Sequence, residues 1–543
     1  MDDVYFLAQG DQMSQSVGHV ISVSGSDVSG ILESSDPGTA PSNVIQIGAL
    51  VRLPTAVSNV FGIINGMRVE NASTDRSSAQ RKIVDVQLLG EILNNDPDGP
   101  EPVFERGVSI HPGLDCEIYG ATRAELELVY ARPRASNVRI GTIHQDRTLP
   151  AFIMTDDLLG KHFAVLGTTG SGKSCAVALI LRSILEEHPN GHVILLDPHN
   201  EYSHGFGDMA ETINPGNLQL PYWLLNFEEI ASVIVSQESE SADVETEILK
   251  GAILEAKKKY LEGESDTDFV TVDTPTPYRM GELIRLIEAG MGTLDKAENS
   301  APYMRLKSRI DGLTADKRLA FMFSGLFLRD NLVDILSQIL RIPVSNKPIT
   351  IIDISGVPAE IIDVVVSVLC HMIFDFAIWS DRSKAPPVLL VCEEAHRYIP
   401  QDGAAGFSPT KKAISRIARE GRKYGVSLCL VSQRPSELAT SILSQCNTLF
   451  ALRMSNERDH MYVRNALPDS ALGLLNALPA LRSQEAVVVG EGVAVPMRLR
   501  FSDLDPDHRP RSGTATFSLA WQNDSEFEGF VAETVERWRK QLR

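Results

Sequence analysis

The run Phe163-Ala-Val-Leu-Gly-Thr-Thr-Gly-Ser-Gly-Lys-Ser174 limits this chain more than any other stretch. Phe163–Leu166 is apolar and predicts a short buried strand. Gly167, Thr168, Thr169, Gly170, Ser171, Gly172, Lys173 and Ser174 then fit G-x-x-x-x-G-K-[ST], and Cys175–Arg182 predicts a helix. Glycines let the backbone turn sharply and ring phosphate oxygens with bare N–H groups. A helix that starts there aims the positive end of its dipole at the same oxygens. Lys173 is expected to reach the β- and γ-phosphates, and Ser174 to hold Mg2+. Residues 167–175 are the expected ATP site.

The strand–helix alternation continues from about residue 151, the mark of a parallel sheet. Strands are predicted at His192–Asp197, Ile349–Ile354, Val388–Cys392 and Ser427–Ser432, with two more at Leu449–Arg453 and Glu485–Val489. Residues 1–150 read differently. Short β-branched stretches such as His19–Ser24, Val44–Arg52, Asn59–Asn65, Lys82–Leu89 and Val108–His111 alternate with turns such as Asn94–Pro100, which predicts a small β-barrel and no helix. Residues 205–345 carry helical stripes such as Val244, Ile248, Leu249, Ala252, Ile253, Ala256 and Tyr260, with a loop at Gly263–Asp268. The expected organisation is a barrel over 1–150, a nucleotide-binding core over 151–204 and 346–505, a helical insertion over 205–345, and a C-terminal extension over 506–543. In that extension Ser525 and Glu528 form a candidate capping box, ahead of an apolar stripe of Phe527, Val531, Val535, Trp538 and Leu542.

Composition narrows the class. At 543 residues the chain exceeds one ordinary core. Its 43% hydrophobic and 22% charged residues suit a globular protein, and the N-terminus lacks the basic-then-apolar pattern of a secretory signal. The longest apolar run, Ile361–Trp379, is interrupted by Asp363, His371 and Asp375 and predicts a buried core helix, not a membrane span. Six scattered cysteines form no C-x-x-C pair, so neither a zinc site nor a disulfide framework is expected, and the location expected is cytoplasmic. A net charge of −20 argues against broad coating of nucleic acid and leaves room for a local basic lining.

Hydrolysis needs more than a phosphate loop. Val388–Cys392 leads into Glu393 and Glu394, and neighbouring side chains at a strand end diverge, so the two acids can take different roles. Glu393 is assigned to the metal and Glu394 to the attacking water. Asp197 ends another strand and is expected near the metal or γ-phosphate, a capped turn before Pro198 being the alternative. Gln433, after Leu430-Val-Ser432, is expected to sense the γ-phosphate. On Lys411–Tyr424, Arg422 and then Arg419 are candidates for an arginine that stabilises transition-state charge at a neighbouring subunit's ATP, against a plain solvated basic face. Lys411 and Lys412, beside the Gly-rich lead-in Gln401–Thr410, are candidate DNA contacts.

Taken together, His162-Phe-Ala-Val-Leu-Gly-Thr-Thr-Gly-Ser-Gly-Lys-Ser174, Leu195-Leu-Asp-Pro-His-Asn-Glu-Tyr202, Glu393-Glu-Ala-His396, Glu420-Gly-Arg-Lys-Tyr-Gly425 and Ser432-Gln-Arg-Pro435 resemble the HerA family, in the FtsK–HerA branch of P-loop motors. The resemblance implies a multidomain α/β chain, with a RecA-like P-loop NTPase core, an N-terminal β-barrel of the HAS type, an inserted helical subdomain and a C-terminal brace helix. It implies a homohexamer using ATP and Mg2+ to move double-stranded DNA, without a membrane. It also implies an effector partner, a NurA-type nuclease or a sirtuin-like NADase, in DNA end processing or anti-phage defence. A regulatory ATPase scaffold that activates an effector is the alternative, and a protein-translocating motor the third reading.

Overall fold

A computed structural model describes residues 16–33, 45–70, 81–94, 102–214, 216–218, 220–236, 240–261, 268–292, 297–323, 329–355, 357, 359–401, 408–466, 472–511, 517–522 and 529–540. The chain divides into two compact units, Met1–Pro510 and Arg511–Arg543. The first contains both sheets.

Seven strands make the first sheet: β1 (Ser16–Ser24), β2 (Asp27–Leu32), β3 (Leu50–Pro54), β4 (Ser58–Glu70), β5 (Arg81–Leu93), β6 (Phe104–Arg106) and β7 (Glu117–Gly120). Their order is β2-β1-β7-β3-β4-β5-β6, and β2 also pairs with β5. That pairing closes six strands into a barrel and leaves β6 as an outrigger on β5. Closure removes the open edges a flat sheet would expose. Val20, Val28, Val51, Leu53, Val60, Ile64, Val84 and Val86 fill the inside. The expected strand at Val108–His111 is a loop, and the Val44–Arg52 stretch becomes strand only from Leu50. A helix, Arg123–Val129, stands where none was expected. Thr122 and Glu125 close a reciprocal capping box at its start, a local signal that outweighs the surrounding β pattern.

The second sheet has eleven strands: β8 (Asn137–Ile143), β9 (Pro150–Met154), β10 (His162–Leu166), β11 (Val193–Asp197), β12 (Ala210–Ile213), β13 (Ile349–Asp353), β14 (Val388–Cys392), β15 (Val426–Ser432), β16 (Cys446–Leu452), β17 (Glu485–Gly490) and β18 (Met497–Phe501). The order is β12-β13-β11-β14-β15-β10-β16-β17-β18-β8-β9. The first seven run parallel and the last four join antiparallel. Strands β10, β11, β14 and β15 are buried along their whole length, which is why they read as unbroken apolar runs. The residue-150 boundary expected from sequence falls at the start of β9, and β8 ahead of it already belongs to this sheet, pairing Ile143 with Leu499.

Helices Phe227–Ile234, Ala242–Tyr260, Met280–Gly292, Ala297–Ala315 and Leu332–Leu340 lie between β12 and β13. Leu249, Ile253, Leu283, Ile287, Leu306 and Ile310 bury their apolar faces, whereas Val244 and Tyr260 of the expected stripe are exposed. This stretch also supplies an edge strand, β12, that helical periodicity hid. Ile361–Trp379 is long and apolar enough to cross a membrane by composition, yet 72% of that window is buried within the fold. His371 and Ser367 on it both bond Glu229 Oε1, at 2.8 and 2.6 Å, so these two polar groups are satisfied inside the protein.

In the second unit, Phe530–Lys540 is helical, with Val531 and Trp538 exposed. Phe527, Leu542 and the Ser525/Glu528 box lie outside the described residues, as do most of the Gly263–Asp268, Asn94–Pro100 and Gln401–Thr410 loops.

Candidate functional site: a phosphate loop with a paired acid–amide end

The loop after β10 is held on both sides by the neighbouring strand ends. The Gly167 N–H donates to the Ser432 carbonyl at the end of β15, at 3.3 Å. Thr168 donates through both its N–H and its hydroxyl to the Arg453 carbonyl just past β16, each at 3.0 Å. Gly170 and Gly172 take left-handed φ values of 74° and 98°, which is the geometry the motif's glycines provide. The helix Lys173–Glu187 begins at once, and its first turn faces the loop. Lys173 is buried at 8% exposure, with Nζ donating to the Thr168 carbonyl at 3.3 Å. Burial pulls its pKa down, and Glu393, Glu394 and Glu201 pull it back up. Its ammonium therefore sits at the loop, where phosphate charge is expected.

The two acids after β14 do take different environments. Glu393 is buried and accepts from the Tyr202 hydroxyl at 3.1 Å. Burial, then the neighbouring Glu394, pushes its pKa up to about 8, while Lys173 and Tyr202 oppose. Glu394 sits in a left-handed conformation at φ 51°, an uncommon choice for a non-glycine residue. That turn swings its carboxylate toward Gln433, whose Nε2 donates to Glu394 Oε1 at 2.6 Å. The Gln433 Oε1 in turn accepts from the Thr169 hydroxyl of the phosphate loop. Loop, amide and acid therefore form one chain. The other carboxylate oxygen, Oε2, is buried and has no hydrogen-bond donor among the described residues. His396 Nδ1 is 3.2 Å from it, but the same nitrogen is shared with the Ser432 hydroxyl, also at 3.2 Å. That hydroxyl also accepts from the Arg434 N–H. Burial holds the His396 pKa down to about 4, consistent with a neutral ring. Glu394 is thus tied to the phosphate loop through Oε1, while Oε2 is held in the interior beside His396.

Asp197 takes the alternative reading. It is fully buried, and its oxygens accept the N–H groups of His199 at 3.2 Å and Tyr202 at 3.0 Å. Each oxygen thus helps shape the turn, and Asp197 positions residues 199–202. Those residues reach the site. Glu201 Oε2 accepts from the Ser174 hydroxyl at 2.7 Å, and Tyr202 holds Glu393. His199 Nε2 lies 3.9 Å from Glu394. Glu201, Tyr202, His199 and His396 went unassigned in sequence. The only signal for the first three was their place at the end of the Leu195–Tyr202 motif, and a loop after a tight turn has no periodicity to say which way each side chain points.

Arg419 and Arg422 are exposed, and Arg419 has no hydrogen bond or ion pair among the described residues. Arg422 precedes β15 and Gln433 comes just after it. The seven-residue strand separates them by roughly 20 Å at about 3.3 Å per residue, so Arg422 is out of reach of its own phosphate loop. Lys412 forms an ion pair with Glu228, and Arg416 pairs with Asp375 at 3.4 Å and lies over the Phe374 ring. Lys411 is half-buried.

Strand, glycine loop, lysine-led helix and a carboxylate–amide pair at adjacent strand ends define a P-loop ATPase. Residues 138–373 match the family described as "Helicase HerA, central domain". The chain is 28% identical over 511 residues to a protein named DNA double-strand break repair helicase HerA from Pyrococcus furiosus, covering 88% of this chain and 85% of that one. It is 27% identical to a probable helicase from Methanocaldococcus jannaschii, covering 77% of this chain and 76% of the other. The solved structure of VirB4 of Thermoanaerobacter pseudethanolicus aligns with 70% of this chain and 99% of that chain, at 16% identity and a TM-score of 0.49. The chain is a P-loop ATPase that is similar to HerA helicases over most of its length.

Proposed function

We propose that this ATPase is a ring motor that couples ATP hydrolysis to movement of double-stranded DNA. The observation that carries the reading is the placement of Arg419 and Arg422. They are exposed, ahead of β15 and at the opposite end of that strand from Gln433, and a cation there stabilises phosphoryl-transfer charge only in a neighbouring copy. A subunit whose site is completed by its neighbour assembles head to tail, and a homohexamer closes that arrangement. The DNA substrate rests on the relatives, which are named DNA double-strand break repair helicases. Lys411 and Lys412 stand as the DNA-contact candidates, the Glu228 pair of Lys412 being exposed and exchangeable. An effector enzyme, a nuclease or an NADase, working with the ring in the cytoplasm, in DNA end processing or anti-phage defence, completes the proposal.

In this reading Glu394 orients the water, and Gln433 reports the γ-phosphate to the Thr169 end of the loop. Mg2+ fits the donors present. Ser174 supplies a hydroxyl, and Glu393, crowded by a second carboxylate, gains from a nearby cation. When bound, the ion neutralises charge on the β- and γ-phosphates.

The test is ATP hydrolysis by the purified chain, with and without linear double-stranded DNA, with the species sized in parallel. DNA-stimulated hydrolysis in a hexamer-sized species, lost in Lys173→Ala and Glu394→Ala, is expected. A ring indifferent to DNA would instead support the scaffold reading, in which the acidic surface docks an effector. A monomer that hydrolyses ATP at full rate would remove the ring from the account.

A further inference from the structure

One short loop reaches both groups assigned to Mg2+. Ser174 lies in the first turn of the helix Lys173–Glu187, and Glu393 directly follows β14. They belong to separate elements far apart in the chain. Two consecutive residues of the loop after β11 touch one each. The Ser174 hydroxyl donates to Glu201 Oε2 at 2.7 Å, and the Tyr202 hydroxyl donates to Glu393 Oε2 at 3.1 Å.

The loop is built to hold that pose. The Asp197 carboxylate accepts the N–H groups of His199 and Tyr202, on either side of Glu201. Asn200 takes a left-handed φ of 52°, a backbone state that asparagine enters more readily than most residues. Its Oδ1 accepts from the Ser203 hydroxyl at 3.0 Å. Tyr202 is fully buried, so close packing fixes the ring and with it the hydroxyl.

A serine hydroxyl has one proton and two lone pairs. Bound to a cation through its oxygen, it must still give that proton to an acceptor, and Glu201 is already in place. With the proton committed to Glu201, the lone pairs are left for the metal. The Tyr202 bond does the matching job for Glu393, fixing the rotation of its carboxylate. Partners of this kind, one bond removed from the metal, orient the ligands and are worth about 10- to 100-fold in metal affinity.

We propose that Glu201 and Tyr202 are positioning residues for Mg2+, Glu201 aligning Ser174 and Tyr202 aligning Glu393 when the ion arrives with a nucleoside di- or triphosphate. The inference rests on the Mg2+ assignments of Ser174 and Glu393 proposed above. It gives the end of β11 a part in the site through the cation, with neither side chain needing to touch the nucleotide.

The experiment titrates Mg2+ into the full chain with mant-ADP and, in parallel, measures mant-ADP affinity in EDTA. The parent is compared with Glu201→Ala, Glu201→Gln and Tyr202→Phe. Glu201→Ala is expected to raise the Mg2+ concentration at half-effect by about 10- to 100-fold, with affinity in EDTA unchanged. Glu201→Gln keeps an acceptor oxygen for the Ser174 hydroxyl and should recover part of that loss. Tyr202→Phe keeps the buried ring and removes only the hydroxyl, and a weakening of about tenfold is expected. An unchanged Mg2+ midpoint in Glu201→Ala and Tyr202→Phe overturns the proposal. So does an equal loss of mant-ADP affinity with and without Mg2+, which marks a defect in the fold or in nucleotide contact. A parent whose mant-ADP affinity ignores Mg2+, or a Ser174→Ala variant with the parent's midpoint, would instead overturn the metal assignment itself, and the inference with it.

Discussion

Gln433 donates to Glu394 at 2.6 Å and at the same time accepts from Thr169, so the Glu394 carboxylate is wired to the phosphate loop through one amide. Glu394→Gln removes the charge and keeps the shape. It is expected to slow hydrolysis by about 10²- to 10⁴-fold while leaving nucleotide affinity near that of the parent. Single-turnover hydrolysis set beside mant-ATP binding checks this, and a parallel loss of both would move Glu394 into a binding role.

Gln433→Ala cuts the wire without touching either end. Glu394 keeps its charge and loses the side-chain amide that donates to it. The expected result is a lower kcat with nearly unchanged KM. A Gln433→Glu variant should be worse, since it sets a second carboxylate against Glu394. Full activity in Gln433→Ala would show the bridge to be packing alone.

Glu393 makes the nucleotide-free fold pH-sensitive. A carboxyl whose pKa rises from 4.5 to about 8 binds its proton more tightly folded than unfolded. Stability is therefore lost as pH climbs between those values, and no cost remains below them. Thermal melting in EDTA from pH 5 to pH 8.5 should show a falling Tm, with a shallower fall in Glu393→Gln. Glu394 moves in the same direction, so some slope should persist in that variant. Identical slopes in parent and variant would contradict the assignment.

Asp197→Ala leaves the His199 and Tyr202 N–H groups without their buried acceptor. A loss of about 1–3 kcal/mol per unsatisfied group is expected. Activity should fall further than stability explains, because Glu201 and Tyr202 lose their positions against Ser174 and Glu393. Urea unfolding compared with kcat separates the two effects, and Asp197→Asn, which keeps an acceptor oxygen, should restore part of each.

If Arg422 acts on a neighbour's ATP, two inactive variants should complement each other. Lys173→Ala subunits retain the arginine and Arg422→Ala subunits retain the phosphate loop, so mixed rings contain competent interfaces. Hydrolysis in the mixture above the sum of the two parts is the expected outcome, and strict additivity would return Arg422 to the solvated surface. The same experiment with Arg419→Ala decides which of the two arginines serves.

The phosphate loop, the acid pair and the parallel strands were legible because each is a local pattern. Gly172 must take a left-handed φ, Lys173 must come next, and Val388–Cys392 must be apolar throughout because both faces of the sheet are covered. These requirements act between residues a few positions apart, so they leave a mark in order and spacing. The tertiary structure decided the rest. It closed the barrel by pairing β2 with β5, set β8 and β9 on the far edge of the ATPase sheet, and slipped β12 into a stretch of helical periodicity. It also made Asp197 the clasp that delivers Glu201 and Tyr202, and brought residues 503–510 back onto a helix more than 300 positions earlier. Those outcomes depend on which surfaces meet after the chain has folded over itself. A side chain's partner across a loop or a sheet edge leaves no periodicity in the sequence that precedes it.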